Sequence, residues 1–326
     1  MKIKITGRPN HGVYGEPNGM QGRLKYGFRQ IKGCEIVEES EDILIVPGAS
    51  ADLTEIQTDG KKIFWSHGCN WARGFENEDN TVLKHNYDNA DIVVFQSEFA
   101  KNMTEKAFGK KQQKEYPFIY NAGVVHLPDN FISWKQGEEI KAVCASIWRA
   151  WKRLHSVERL VRLIASNGQK IHLSVIGKDP NDNCPFGFPK EGENYKIDYL
   201  GIMPLEQMIP IYHQSHIGLH LAFNDFSPSS VMEKMTAGLP VIVTNSGGSK
   251  DVVKNGSGMI INTDPFVDTS FPIHNEERLP KVDDDEFLYA FWEIMNHLSD
   301  YQQANKEWVL KEMNCVKQAE KFLTLQ

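Results

Sequence analysis

The stretch that decides the reading is 217–245: Ile217-Gly218-Leu219-His220-Leu221-Ala222-Phe223-Asn224-Asp225-Phe226-Ser227-Pro228-Ser229-Ser230-Val231-Met232-Glu233-Lys234-Met235-Thr236-Ala237-Gly238-Leu239-Pro240-Val241-Ile242-Val243-Thr244-Asn245. Its two ends, 217–222 and 240–245, are short apolar runs without alternation, the pattern of strands buried on both faces. Between them Ser227 is a favoured N-cap, Pro228 suits the first helical position, and Gly238 suits the left-handed residue that ends a helix. The segment therefore predicts strand, helix over 228–237, strand, the repeating unit of a helix-covered parallel sheet.

The same alternation extends in both directions. Further strands are expected at 2–7, 43–48, 63–66, 91–97, 118–122, 141–146, 171–177, 197–201 and 259–262, and helices at 20–32, 98–108, 154–166 and 205–214. The class is α/β. The pattern runs twice, with a polar break near 132–140, so two doubly wound, Rossmann-like parallel-sheet domains facing a cleft are expected. Their bounds are 1–135 and 136–305. Segment 263–285, with Pro265, Pro272 and Pro280, reads as a long loop. From 286 onward Phe287, Leu288, Phe291, Ile294 and Met295 fall at helical spacing, and 306–326 continues as an amphipathic helix with Trp308, Val309, Met313, Val316 and Phe322.

The chain of 326 residues is 40% hydrophobic and 24% charged, with net charge −7, which disfavours wholesale binding to nucleic acid or anionic membrane. Five cysteines, Cys34, Cys69, Cys144, Cys184 and Cys315, form no CxxC pair and fit a reducing compartment rather than disulfides or zinc. The start, Met1-Lys2-Ile3-Lys4-Ile5-Thr6-Gly7, turns polar too soon for a signal peptide, and no apolar run reaches membrane-spanning length. The expectation is a protein of the cytoplasm, or of the host cytoplasm if viral. Residues 1–32 hold seven basic side chains and one acid, Glu16, with Lys25, Arg29 and Lys32 striped along one helix. This leaves open a peripheral membrane contact or an anionic acceptor; a solvated face is the plainer reading.

Ligands of doubly wound folds bind where strands end. The first turn of helix 228–237 offers the N–H groups of Ser229, Ser230 and Val231, and small residues there let a phosphate approach. Glu233 lies one turn deeper than Ser229 on the same face, where a carboxylate can accept from a ribose diol. Asp225, just before the cap, reaches another part of the same ligand. The alternative makes Ser227 a simple cap and Glu233 a solvated acid. After strand 141–146 come Arg149, Lys152 and Arg153, cations suited to a diphosphate, with Lys152 and Arg153 as alternatives for the second one. His67 follows strand 63–66, and Gly19 precedes helix 20–32.

Asp225, seven residues, then Glu233 resembles the Glu-x7-Glu motif of retaining GT-B glycosyltransferases of family four. The run Lys234 to Val243 resembles that family's EAMAxGxPVV, and Gly247-Gly248 with Asp251-Val252-Val253 resembles its GGxxEVV. Segments 91–99 and 118–123 resemble its DxVxxxSeF and xxNGV runs. The departure is Asp225 in place of the first Glu, a shorter arm. The resemblance implies a GT-B fold and transfer of a sugar, with retention, from a UDP- or GDP-sugar donor to an acceptor. Arg149 and Lys152 would hold the diphosphate in place of a metal, Gly19 would approach it, and His67 would face the donor sugar. It also implies that the last helix packs back on the first domain and that domain closure gates reaction. No cofactor besides the donor is expected. No Asp-x-Asp lies after a strand; Asp283-Asp284-Asp285 reads as a helix cap. The acceptor is a glycan, a lipid-linked group or a protein, with a viral DNA base as a further alternative. Competing readings are a nucleotide-sugar epimerase, for which His67 is the evident acid/base group, and a silent nucleotide- or carbohydrate-binding protein.

Overall fold

A computed structural model describes residues 1–7, 19–69, 80–111, 118–178, 190–263 and 279–325. The N-terminal domain is a parallel sheet of β1 (Lys2–Ile5), β2 (Glu35–Ile36), β3 (Ile43–Pro47), β4 (Lys61–Ser66) and β5 (Ile92–Phe95), in spatial order β2-β1-β3-β4-β5. Its helices are α1 (Met20–Arg29), α2 (Thr81–Asn89) and α3 (Glu98–Phe108). The C-terminal sheet holds β6 (Ile140–Ala145), β7 (Ile171–Ile176), β8 (Lys190–Glu191), β9 (Tyr195–Gly201), β10 (Ile217–His220), β11 (Val241–Thr244) and β12 (Gly258–Ile261). Their order is β12-β11-β10-β6-β7-β9-β8, parallel except for β8 at the edge. Helices α4 (Leu154–Ser166), α5 (Leu205–His213), α6 (Ser229–Thr236), α7 (Asp284–Asn296), α8 (Leu298–Glu312) and α9 (Cys315–Leu323) complete the chain.

Both sheets form where the sequence is apolar on consecutive positions. Every residue of β3, β5 and β10 is buried, as strands covered by helices on both faces require. In α4 the buried Leu154, Val157, Leu160, Val161 and Ile164 recur at helical spacing and pack on Ile171 and Leu173 of β7.

Several elements differ from the sequence expectation. Segment 118–122 is no strand: Ile119 N–H reaches Phe95 O at 3.1 Å and the chain then leaves the sheet for the other domain. Strands β2 and β8, two residues each, are too short to carry a period. Helix α6 starts one residue late, with Pro228 at the cap position and Ser227 buried without a capping bond. At its other end Gly238 takes φ +86°, with Gly238 N–H to Met235 O at 2.9 Å and Leu239 N–H to Lys234 O at 3.0 Å. Of the expected loop 263–285, residues 264–278 lie outside the described residues, and its end is already helical. Asp283 Oδ1 accepts from Glu286 N–H at 2.8 Å, so the acidic run caps α7.

The chain passes between the domains twice. The passages touch: Gly123 N–H bonds Met313 O at 3.3 Å, and Cys315 N–H bonds Gly123 O at 3.1 Å. Residues 306–312 belong to α8, whose Val309 packs with Val231, Met232 and Met235 of α6, so the second passage falls at Met313–Asn314 rather than at 306. Of helices α7, α8 and α9, α9 alone lies in the N-terminal domain. Its Ala319 and Phe322 join Leu24, Phe28 and Trp65 in that domain's core, with the Trp65 and Phe322 rings 5.4 Å apart. A Cβ on Gly27 would stand 2.1 Å from Cys315 O, so α1 and α9 cross at a distance only glycine permits. Between the domains, Phe226 enters beside Gly68 with its ring 5.2 Å from that of Phe99 and tilted to it by 40°, and Glu98 N–H bonds Asp251 Oδ2 at 2.9 Å.

Candidate active site

The site is built on the carboxyl ends of β10 and β6. The loop after β10 carries Asp225, which is 5% exposed. Its Oδ2 accepts from Lys152 Nζ and faces His220 Nε2 at 3.2 Å, while its carbonyl accepts from Gly248 N–H at 2.6 Å. Burial pushes the His220 imidazole down to about 4, so the ring is neutral at neutral pH. Against a carboxylate, which only accepts, the single ring proton belongs on Nε2. Nδ1 is left to accept from Ser230 Oγ, 3.5 Å away. Asp225 is thus joined to the first turn of α6 through His220.

In that turn Val231 N–H closes on Pro228 O at 3.1 Å, leaving the N–H groups of Ser229 and Ser230 as the donors aimed beyond the helix end. Glu233 and Ser229 do share a face. Both are touched by Arg23 of α1, whose Nη1 donates to Glu233 Oε1 at 3.0 Å and whose Nη2 donates to Ser229 Oγ at 2.9 Å. Arg23 is 1% exposed. Sequence reading missed it because the basic stripe drew attention to Lys25, Arg29 and Lys32, of which Arg29 and Lys32 are exposed. The available signal was a cation at helical spacing with Met20 and Gly27, on the apolar face.

The three cations after β6 are placed differently. Lys152, in the short 3₁₀ turn Ala150–Lys152, reaches Asp225. Arg149 is exposed, its guanidinium 5.1 Å over the Trp151 ring. Arg153 has a left-handed backbone and is 1% exposed; its guanidinium donates to Leu221 O at 3.3 Å and to Pro280 O, and lies 5.2 Å over Phe223. Lys152 is the one of the two alternatives that meets Asp225.

His67 lies past β4, edge-on to Trp65 at 4.9 Å, and desolvation lowers its imidazole to about 4. It lines a cleft of about 640 Å³ between the domains, together with Gln21, Ser50, Gln96, Asn121, Asp225 and Ser227. Asn121 Nδ2 also donates to Ser227 O at 2.8 Å across the domain boundary. Gly19 caps α1 with open space where a Cβ would be; its neighbour Asn18 lies outside the described residues. Among the described residues no three or more His, Cys, Asp or Glu side chains gather as for a metal ion, and no helix is long and apolar enough to cross a membrane.

Residues 129–266 match the family model of glycosyl transferases group 1. No curated protein sequence matches the chain. Among solved structures, the apo form of the lipopolysaccharide outer core galactosyltransferase WaaB is 13% identical, with TM-score 0.65, covering 99% of this chain and 98% of that one. Sucrose-phosphate synthase from Thermosynechococcus elongatus is 13% identical, with TM-score 0.62, covering 100% and 87%. Anabaena HepE in complex with UDP-glucose is 12% identical, with TM-score 0.63, covering 100% and 99%. At these identities the likeness is one of fold. The chain has the GT-B fold, and its stretch 129–266, which holds Arg149, Lys152, Asp225 and Glu233, carries the pattern of glycosyl transferases group 1.

Proposed function

We propose that this chain is a retaining, metal-independent glycosyltransferase of family four type that moves a sugar from a nucleoside diphosphate sugar to a glycan acceptor. The observation that carries the reading is the pairing of Lys152 with Asp225 beside the first turn of α6, with Glu233 on that helix and a cleft in front. As the glycosyl–phosphate bond breaks, positive charge grows on the sugar ring and negative charge on the leaving diphosphate. Lys152, Arg149 and the N–H groups of Ser229 and Ser230 stabilise that negative charge, the largest lever available to such a site. Glu233 accepts from the ribose diol and Asp225 from sugar hydroxyls. A leaving phosphate oxygen takes the acceptor proton, so no separate base is needed. His67, neutral because buried, serves the sugar as a hydrogen-bonding partner rather than as an acid.

Uridine is the favoured base, because HepE was solved with UDP-glucose; GDP is the alternative. The neutral polar lining of Gln21, Ser50, Gln96 and Asn121 suits sugar hydroxyls, so the acceptor is a glycan, free or carried on lipid or protein. The net charge of −7 works against a nucleic-acid acceptor. The cytoplasm is the proposed location, in keeping with Cys34, Cys69, Cys144 and Cys315 as free thiols.

A thermal-shift series with UDP, GDP, ADP and CMP tests the donor site. One nucleoside diphosphate at a hundredfold excess over its dissociation constant is expected to stabilise the fold by about 2.7 kcal/mol. Glu233→Ala should remove most of that gain. No shift with any of them would count against the transferase reading, and an unchanged affinity in Glu233→Ala would take Glu233 out of the site. Transfer should also survive EDTA; a complete loss restored by metal would contradict the role given to the cations.

A further inference from the structure

The first turn of α6 is approached by two cations, one from each domain, and each is held by a carboxylate. Lys152 pairs with Asp225, which His220 links to Ser230. Arg23 pairs with Glu233 and bonds Ser229. Ser229 and Ser230 are the residues whose N–H groups form the anion site; Arg23 stands one hydrogen bond from Ser229, and Lys152 is linked to Ser230 through Asp225 and His220. The positive end of a helix dipole repels a cation, and burial adds to the cost of leaving Arg23 there. Glu233 offsets both, yet one carboxylate supplies less negative charge than a diphosphate.

Resting on the transferase reading, we propose that Arg23 is a third cation of the diphosphate site, supplied by the N-terminal domain, and that Glu233 occupies the place of a phosphate oxygen until the donor arrives. The planar guanidinium forks as readily onto two phosphate oxygens as onto its present pair of acceptors. When diphosphate takes the fork, Glu233 is released to the ribose diol. One exchange then satisfies the phosphate, the ribose and Arg23. Because Arg23 sits on α1 and Glu233 on α6, the donor replaces a contact between the domains with one that runs through the ligand.

The test is calorimetry with uridine and with UDP on the wild type, Arg23→Gln and Arg23→Lys. Arg23→Gln is expected to weaken UDP by about 10- to 100-fold while leaving uridine unchanged or tighter, since Glu233 no longer needs to be freed. Arg23→Lys, with a charge but no fork, should fall between, and it carries the comparison if the glutamine variant does not fold. An equal loss for uridine and UDP would reduce Arg23 to a structural role, and an equal gain would make it only a competitor for Glu233; either overturns the proposal. A wild type that binds UDP while Arg23→Gln leaves it unchanged sinks this inference alone. A wild type that binds neither probe, nor guanosine and GDP in their place, sinks the transferase reading and this inference with it.

Discussion

Replacing Lys152 with alanine is expected to lower the rate of sugar transfer on the order of 10²–10³-fold, the usual cost of removing one preorganised group that meets developing charge. Lys152 stands at the end of β6 in a short 3₁₀ turn, its ammonium fixed by Asp225 in a site largely closed to water. A charge held this way needs no reorganisation as the diphosphate leaves. The same substitution leaves Asp225 buried with its cation gone, which costs about 3–5 kcal/mol of stability. The two effects separate in a double variant. Adding Asp225→Asn to Lys152→Ala removes the stranded charge and should recover much of the melting temperature, while kcat at saturating donor stays well below that of Asp225→Asn alone. If the double variant matched Asp225→Asn in kcat, Lys152 would be a structural partner of Asp225 and no more.

The second large effect is on stability in mild acid. His67 and His220 both have imidazoles lowered by burial from 6.5 to about 4. The unfolded chain therefore binds protons below pH 6.5 that the folded chain refuses until about pH 4. Stability is complete above the unfolded value and is lost as pH falls through that window. Each group contributes on the order of 3 kcal/mol over the window, since one unit corresponds to about 1.4 kcal/mol. Melting temperature measured from pH 7 to 4 should fall steeply, and His67→Gln should make the fall shallower without abolishing it, since burial also lowers the imidazoles of His220, His126 and His216. An identical slope in the variant would show that the ring gains a proton in the folded state near its ordinary value. Lys234, fully buried with its amine on Ser230 O at 2.9 Å, follows the same rule at the other end of the scale. Its amine is lowered from 10.5 to about 8, so stability rises with pH between those values.

The fold was legible because its strands are long enough and apolar enough to declare themselves. β3, β6, β7 and β11 lie within a residue or two of where consecutive apolar positions put them. Where length failed, so did the reading: Glu35–Ile36 and Lys190–Glu191 are paired by neighbours the local sequence does not show. Segment 118–122 has strand composition but spends its backbone on passing between domains. The start of α6 was misplaced by one because Ser227 and Pro228 are both start signals, one position apart. At the site, Asp225, Glu233 and Lys152 were visible because each follows a strand end or a helix turn within a few positions. Arg23 was not, because its partner Glu233 is 210 residues away and only folding brings the two together. His220 hid inside an apolar run, where nothing local marks it as the link from Asp225 to Ser230.

The return of α9 to the first domain bears on the order in which the protein can be made. A chain emerging residue by residue offers β1 through β5 early, and domains generally fold as units in that order. Here the early strands cannot complete their core, because Ala319, Phe322 and Leu325 fill it. The second domain, from Ile140 to Glu312, has all its strands and its α6–α8 packing available sooner. The half that leaves the ribosome first is therefore the half that finishes last. In the interval the apolar faces of Leu24, Phe28 and Trp65 stand open to other chains, a hazard set by topology and not by composition.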